Sequence, residues 1–119
     1  MRIYVDMDGT LLHGWLDNMF KEMNYDTTWY DTQWVDDLAI NHELVQILKE
    51  HQEKGDELIL WTNRSLLQRD MTRANLGELW DMFKEHQFHA GKKHNTNTDG
   101  FTYDNEAKYV ATNGQLISW

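Results

Sequence analysis

The first residues with the types and spacing for chemistry are two aspartates, Asp6 and Asp8, which closely follow a short apolar run. Carboxylates this close together repel each other, and burial would remove the water that solvates them. A divalent cation would offset this cost, and Mg2+ prefers oxygen ligands combined with waters and a substrate phosphate. Gly9 allows a close backbone approach and Thr10 supplies a hydroxyl, so this segment is a candidate phosphate- and metal-binding site.

Further polar groups follow two other predicted strands. Thr62 comes directly after Glu57–Trp61, and Asp104 comes directly after Gly100–Tyr103. Ligands of parallel α/β sheets bind beyond the carboxyl ends of the strands, so we expect these groups to converge with Asp6 and Asp8. Clustered carboxylates, hydroxyls, a metal ion and a nearby lysine could together carry out phosphoryl transfer, with a nucleophile, a proton donor and electrostatic stabilisation.

The framework for such a site is predicted by strands that alternate with helices. The predicted strands are Arg2–Val5, Glu57–Trp61, Gln87–Ala90, Gly100–Tyr103 and Gln115–Trp119. The predicted helices run from an N-cap at Asn41 to Gly55, from Ser65 to Asn75 with Leu66, Leu67, Met71 and Ala74 facing inward, and from Asn105 to Ala111. This alternation is typical of an α/β fold with a parallel sheet and helices on both faces.

Composition narrows the class of protein. The 119 residues predict one domain, 1–119, and the 40% of hydrophobic residues predict a folded chain. Cysteine is absent and no apolar run is long enough for a membrane span, so we expect a cytoplasmic protein with no membrane contact. The net charge of -9 disfavours a nucleic-acid partner, because affinity for polynucleotides comes from Lys and Arg side chains that neutralise phosphates.

Three segments together resemble motifs of the haloacid dehalogenase (HAD) superfamily. Residues 6–11 (DMDGTL) match that family's DxDGT[LV] signature. Residues 58–63 (LILWTN) resemble its second motif, an apolar strand ending in Thr or Ser, and residues 101–105 (FTYDN) resemble its fourth, a strand ending in acidic residues. The resemblance implies a three-layer Rossmann-like core with a mostly parallel five-stranded sheet and, as its function, Mg2+-dependent hydrolysis of phosphate esters.

The resemblance also implies roles for individual residues. Asp6 would be the nucleophile that forms an aspartyl-phosphate, and Asp8 would be the general acid and then the base that activates water. An Asp at the second position is typical of the family's phosphatases and phosphomutases. Mg2+ would be held by the Asp6 side chain, the Asp8 carbonyl and Asp104. Thr62 and the amide of Asn63 would bind the transferring phosphoryl group.

The family's third motif is a lysine between the second and fourth motifs. A Gly-Lys pair at that place favours Lys92 as the catalytic lysine, with Lys93 and then Lys84 as alternatives. The chain departs from the family at two points. Asp104 is followed by Asn105 instead of a second aspartate, which lowers the expected metal affinity, and no proline follows the lysine.

One cation and a group of aromatics are further candidates for substrate contacts. Arg64 stands two residues after Thr62, where it would bind phosphate or else lie on the surface at a helix start. Residues of about 13–40 form a predicted insertion or flap, too short for a separate cap domain. Its aromatics would stack on a base or sugar, or else form a small core or a subunit contact: Trp15, Tyr25, Trp29, Tyr30 and Trp34.

Metal sites of other kinds fit the sequence less well. An EF-hand calcium loop needs glycine at its sixth position and glutamate at its twelfth, where this chain would place Gly9 fourth and Asp17 twelfth. A zinc site is weakly indicated by the spacing of His86, His89 and His94, which are more often surface or core-edge residues.

These observations predict a small HAD-like phosphomonoester hydrolase that uses Mg2+ and acts on a small phosphorylated metabolite such as a nucleotide or sugar phosphate. A phosphomutase is disfavoured because no cap protects an intermediate from water. The alternative from another class is a catalytically weak or inactive domain that binds a phosphoryl ligand or a protein partner. A homo-oligomer that covers or completes the site is also left open.

Overall fold

A parallel five-stranded sheet forms the centre of the protein, whose computed structural model describes residues 1–13, 39–94, 99–110 and 113–118. Along the chain, the strands are β1 (Arg2–Val5), β2 (Leu12–His13), β3 (Ala39–Ile40), β4 (Glu57–Thr62), β5 (Glu85–Phe88), β6 (Gly100–Asp104) and β7 (Gly114–Leu116). The sheet has the order β5-β4-β1-β6-β7, and every pairing in it is parallel. The predicted α/β architecture is confirmed.

The helices are α1 (His42–Glu53), α2 (Arg69–Leu76) and α3 (Ala107–Val110) within the described residues. Asn41 caps α1 as the sequence predicts, because its side-chain oxygen accepts a hydrogen bond from the Leu44 amide at 3.1 Å. Short 3-10 turns, Leu66–Gln68 and Gly77–Met82, flank α2. None of these helices is long and apolar enough to cross a bilayer.

The two faces of the sheet carry cores of different size. Ile3 and Val5 of β1 point into the larger core, where side chains of α1 and α2 cover them. Tyr4 points to the opposite face, where it packs with Trp61 of β4 and Tyr109 of α3. Alternate residues of a strand point to opposite faces, so each buried strand supplies both cores. The result is the predicted three-layer arrangement, with helices on both sides of the sheet.

The two outer strands of the sheet, β5 and β7, are shifted relative to their predicted positions. The predicted strand Gln87–Ala90 begins two residues earlier, as β5, and ends at Phe88 because Ala90 and Gly91 have φ values of 51° and 78°. An extended strand does not continue through such left-handed residues. β7 begins one residue earlier than the predicted Gln115–Trp119 and already ends at Leu116.

The sequence analysis mispredicts which side chains of the segment after Ser65 face the core. The chain first makes the 3-10 turn Leu66–Gln68, in which Leu66 is 66% and Leu67 is 92% exposed. Ala74 is also exposed, whereas the buried side chains of the segment are Gln68, Thr72 and Leu76. A 3-10 turn has 3.0 residues per turn, whereas an α-helix has 3.6. An α-helical periodicity counted from Ser65 therefore assigns the wrong side chains to the buried face.

The predicted insertion is anchored where it leaves and rejoins the core. β2 and β3 pair antiparallel, with Leu12 opposite Ile40, so residues 13 and 39 lie side by side. Residues 14–38 lie outside the described part of the chain, and with them the predicted flap and its aromatic side chains.

Candidate active site

Three adjacent strands bring acidic and hydroxyl side chains to one edge of the sheet. β1 lies between β4 and β6, with Val5 aligned to both Leu60 and Tyr103. Asp6 directly follows β1, Thr62 ends β4 and Asp104 ends β6. The convergence that we expected from the strand ends is therefore present for Asp6, Thr62 and Asp104, all of which are buried.

A lysine bridges two of these carboxylates. Lys93 Nζ donates to Asp6 Oδ1 at 3.0 Å and to Asp104 Oδ2 at 2.7 Å, and also to the Trp61 carbonyl at 3.2 Å. The Lys93 side chain is 1% exposed. Charged hydrogen bonds of this length are strong when water is excluded, so the cluster is a rigid electrostatic unit.

The lysine at the site is Lys93, and the prediction of Lys92 is corrected. The Lys92 side chain is exposed, one residue after the turn through Ala90 and Gly91. The Lys93 amide donates to Asn63 Oδ1 at 3.0 Å and so fixes the backbone at Lys93, whose own side chain points inward. The third candidate, Lys84, pairs with Glu57 at the start of β4, the end of the sheet far from Thr62.

Two aromatic rings enclose the Lys93 ammonium group. Its Nζ lies 4.5 Å from the ring centre of Trp61 and 4.3 Å from that of Tyr109. We call these two rings the aromatic cage. Asn63 links the cage to the loop after β4, because its Nδ2 donates to the Tyr109 hydroxyl at 3.1 Å. The sequence prediction missed Trp61 and Tyr109 as site residues, although the place of Trp61 directly before Thr62 was a usable signal.

The charges of the cluster do not balance. Asp6 and Asp104 present two carboxylates to the one ammonium group of Lys93. Burial and the charge of Asp104 together raise the pKa of Asp6 to about 7, against the lowering effect of Lys93. Burial likewise raises the pKa of Asp104, while Lys93 opposes that shift. Burial lowers the pKa of Lys93, but the two carboxylates more than compensate and hold it above its ordinary value.

Smaller groups complete the surroundings of Asp6. The Thr10 hydroxyl donates to Asp6 Oδ2 at 2.8 Å. Gly9 has a φ of 84°, a conformation that favours glycine, and this turn brings Thr10 back toward Asp6. With its amide nitrogen facing the acids, Asn105 donates to Asp6 Oδ2 at 3.0 Å and to Asp104 Oδ1 at 3.2 Å.

Asp8 belongs to a separate ion pair. Arg64 Nη2 donates to Asp8 Oδ1 at 2.7 Å and Arg64 Nε donates to Asp8 Oδ2 at 2.8 Å. The Arg64 side chain is fully buried, and the Asp8 side chain is 13% exposed. The sequence placed Arg64 either on a phosphate or at the surface, and the structure places its guanidinium group on Asp8 instead.

The loop after β4 holds the remaining predicted ligands. Thr62 is buried, and its hydroxyl accepts a hydrogen bond from the Arg64 amide at 3.1 Å. The carbonyls of Asn63 and Arg64 accept from the amides of Gly91 at 2.8 Å and Ala90 at 3.1 Å. This pairing continues beyond β4 and joins the loop of Thr62 to the loop of Lys93.

Side chains supply only part of the ligand set that a hard cation would need at this site. No group of three or more His, Asp or Glu side chains converges on a common point within the residues that the structure describes. The resemblance, however, implies two carboxylates and one carbonyl, from Asp6, Asp104 and Asp8. The negative charge that Lys93 leaves uncompensated and the raised pKa of Asp6 fit a site that takes a cation.

Comparison with known proteins supports the fold. No protein-family model and no curated protein matches this chain. A chain of a solved structure described as "Structure of Pnkp1/Rnl/Hen1 complex" is similar, with a TM-score of 0.62 and 17% sequence identity. The match covers 99% of this chain and 46% of that one, so this protein spans about half the length of its structural neighbour. At this identity, the likeness shows that the chain has the α/β fold of that segment.

Proposed function

We propose that this protein is a HAD-type, Mg2+-dependent phosphomonoester hydrolase that works through an aspartyl-phosphate on Asp6. One observation carries the proposal: the Asp6 carboxylate lies at the carboxyl end of the central strand, and it accepts from Lys93 on one oxygen and from Thr10 on the other. A nucleophilic carboxylate needs such fixed orientation, because effective attack requires the reacting atoms to be aligned before the reaction.

The proposed reaction has two steps. In the first, an Asp6 oxygen attacks phosphorus, the ester P–O bond breaks, and the Asp8 carboxyl gives its proton to the leaving oxygen. In the second, water attacks phosphorus, gives a proton to the Asp8 carboxylate, and the bond between Asp6 and phosphorus breaks. The net reaction converts an ester and water into an alcohol and inorganic phosphate, with both aspartates restored.

The metal and the cations have distinct tasks in this proposal. Asp6, Asp104 and the Asp8 carbonyl would hold Mg2+, which would supply positive charge to the phosphoryl oxygens when bound. Lys93 neutralises part of the acidic cluster and fixes Asp6 and Asp104 relative to each other. The Thr62 hydroxyl and the Asn63 amide are proposed to bind the phosphoryl oxygens, and the substrate class is a small phosphate ester.

The test is the hydrolysis of para-nitrophenyl phosphate by the wild type and by Asp6→Asn, each with Mg2+ and with EDTA. We expect turnover that requires Mg2+ and that falls about ten-thousand-fold or more in Asp6→Asn, because an amide does not form the acyl-phosphate. The exposed Asp81→Asn serves as a charge-matched control and should keep wild-type activity. Circular dichroism would establish that all three proteins are folded.

A folded wild type that binds Mg2+ but hydrolyses no ester across a panel of nucleotides and sugar phosphates would overturn the proposal. That result would favour a domain that binds a phosphoryl ligand or a protein partner without turnover. One observation gives this second candidate some weight: Asn105, an amide, stands beside Asp104 where the family often has a second carboxylate.

A further inference from the structure

The Arg64 side chain is held from two sides. One edge of the guanidinium group meets both oxygens of Asp8, at 2.7 Å and 2.8 Å. Its Nη1 donates to Thr72 Oγ1 at 3.1 Å and to Asn75 Oδ1 at 2.8 Å. Thr72 and Asn75 are three residues apart on α2, so they present their oxygens from the same face of that helix. The geometry ties Asp8 to α2 through one arginine.

The backbone of Arg64 is fixed as firmly as its side chain. Its amide donates to the Thr62 hydroxyl at 3.1 Å, and its carbonyl accepts from the Ala90 amide. The side chain has no exposed surface. A buried arginine with partners on both edges has little freedom to rotate, and its planar fork defines the plane of the carboxylate it meets.

We propose that Arg64 is a positioning residue, which orients the Asp8 carboxyl for proton transfer to the leaving group instead of binding the substrate phosphate. This inference rests on the proposed hydrolase function. Each Asp8 oxygen accepts a hydrogen bond from one donor of the Arg64 fork, so the arginine fixes the plane and the direction of the Asp8 carboxyl group. A residue that touched phosphate would act on every substrate and on inorganic phosphate alike.

Arg64→Lys tests the inference with two substrates, because lysine keeps the charge and loses the fork. Glycerol 2-phosphate has a poor leaving group that needs a proton, whereas para-nitrophenyl phosphate has a good one that does not. We expect kcat for glycerol 2-phosphate to fall about a hundredfold, and kcat for para-nitrophenyl phosphate to fall less than about fivefold. Inhibition by inorganic phosphate should be unchanged, and the exposed Arg73→Lys on α2 should behave as wild type.

A double-mutant cycle adds an independent readout. If Arg64 acts through Asp8, Arg64→Lys should cause almost no further loss in an Asp8→Asn background. Additive losses, an equal fall for both esters, or weaker inhibition by inorganic phosphate would each overturn the inference and assign Arg64 a direct or merely structural role. Should Arg64→Lys fail to fold, Asn75→Ala, which removes one of the two α2 acceptors, is expected to give a weaker form of the same leaving-group dependence.

The two levels of proposal fail in different ways. Wild-type protein without turnover on these two esters and on the panel of nucleotides and sugar phosphates would refute the hydrolase function and the role of Arg64 together. Wild-type turnover combined with equal losses on the two esters would refute the role of Arg64 alone.

Discussion

Asp6 and Asp8 are two residues apart in the chain, yet their carboxylates are held in opposite ways. Asp6 shares the single charge of Lys93 with Asp104, whereas the two oxygens of Asp8 accept from both donors of one edge of Arg64. One cation for two acids leaves a net negative charge, and one cation for one acid leaves none. The difference is consistent with the proposed role of the Asp6 cluster as the metal-binding side of the site, whereas the Asp8 carboxylate already meets a cation of the chain.

The largest expected effect comes from removing the cation on the Asp6 side. Lys93→Met would leave two buried carboxylates facing each other, which we expect to cost about 3–5 kcal/mol of unfolding free energy at pH 8. The cost should shrink at pH 5.5, because the raised pKa values of Asp6 and Asp104 let these groups take up protons. Urea denaturation in EDTA at the two pH values measures both effects.

The neighbouring lysine provides a matched control for this prediction. Lys92 is exposed, so Lys92→Met should change the unfolding free energy by no more than about 0.5 kcal/mol. Equal destabilisation by the two substitutions would contradict the placement of Lys93 in the cluster.

The imbalance on the Asp6 side also predicts how stability depends on pH. The pKa of Asp6 is about 7 in the folded protein against an ordinary value of 3.8, so the folded state binds more protons between these values. The contribution of Asp6 to stability therefore falls as the pH rises through this window. Without metal, the unfolding free energy of Asp6→Asn should rise by about 2–4 kcal/mol relative to that of the wild type as the pH increases from 4 to 8.

Thermal and urea unfolding in EDTA, performed in parallel on both proteins, would measure this gain. Asp81→Asn removes an exposed carboxylate and should show no comparable trend. A stability difference between wild type and Asp6→Asn that stays flat with pH would refute the charge imbalance of the cluster.

The positions of the acids could be predicted from the sequence because they depend on local patterns. β1 has the predicted bounds, and β4 and β6 each extend one residue beyond them, so the residues after the strands meet at one edge as expected. The choice between Lys92 and Lys93 could not be predicted in this way. It depends on the left-handed residues Ala90 and Gly91, which decide which of two adjacent side chains turns inward.

The role of Arg64 lay beyond prediction for a different reason. Its partners Asp8, Thr72 and Asn75 come from three separate segments, and only the packing of α2 brings them together. The exposure of Leu66 was also not predictable, because a 3-10 turn and an α-helix are hard to tell apart in a short polar segment. Local patterns thus predicted the strand ends, and tertiary contacts decided which cation each acid received.

Asn105 offers a way to sharpen the contrast between the two acids. Its amide donates to both Asp6 and Asp104, so Asn105→Asp would replace a donor with a third carboxylate. We expect the unfolding free energy of the metal-free variant to fall by about 1–2 kcal/mol at pH 8, because a third carboxylate repels the other two. We expect Mg2+ to bind to the variant roughly tenfold more tightly, because affinity for the ion rises with ligand charge.

Titration calorimetry with Mg2+ and melting in EDTA would measure the two changes. Gln46→Glu on the exposed side of α1 adds the same charge at a distance and controls for the general effect of a more acidic protein. Weaker Mg2+ binding by Asn105→Asp would count against a metal site at these acids.

The last comparison concerns the aromatic cage, in which the rings of Trp61 and Tyr109 support Lys93. Tyr109→Phe removes only the hydroxyl that accepts from Asn63 and should cost about 1 kcal/mol. Tyr109→Leu also removes the ring that lies 4.3 Å from Lys93 Nζ, which should cost about 0.5–2 kcal/mol more. Urea denaturation at pH 8 would separate the two steps. If both variants were equally destabilised, the hydroxyl would matter and the ring would not, and Lys93 would then owe its orientation to Asp6 and Asp104 alone.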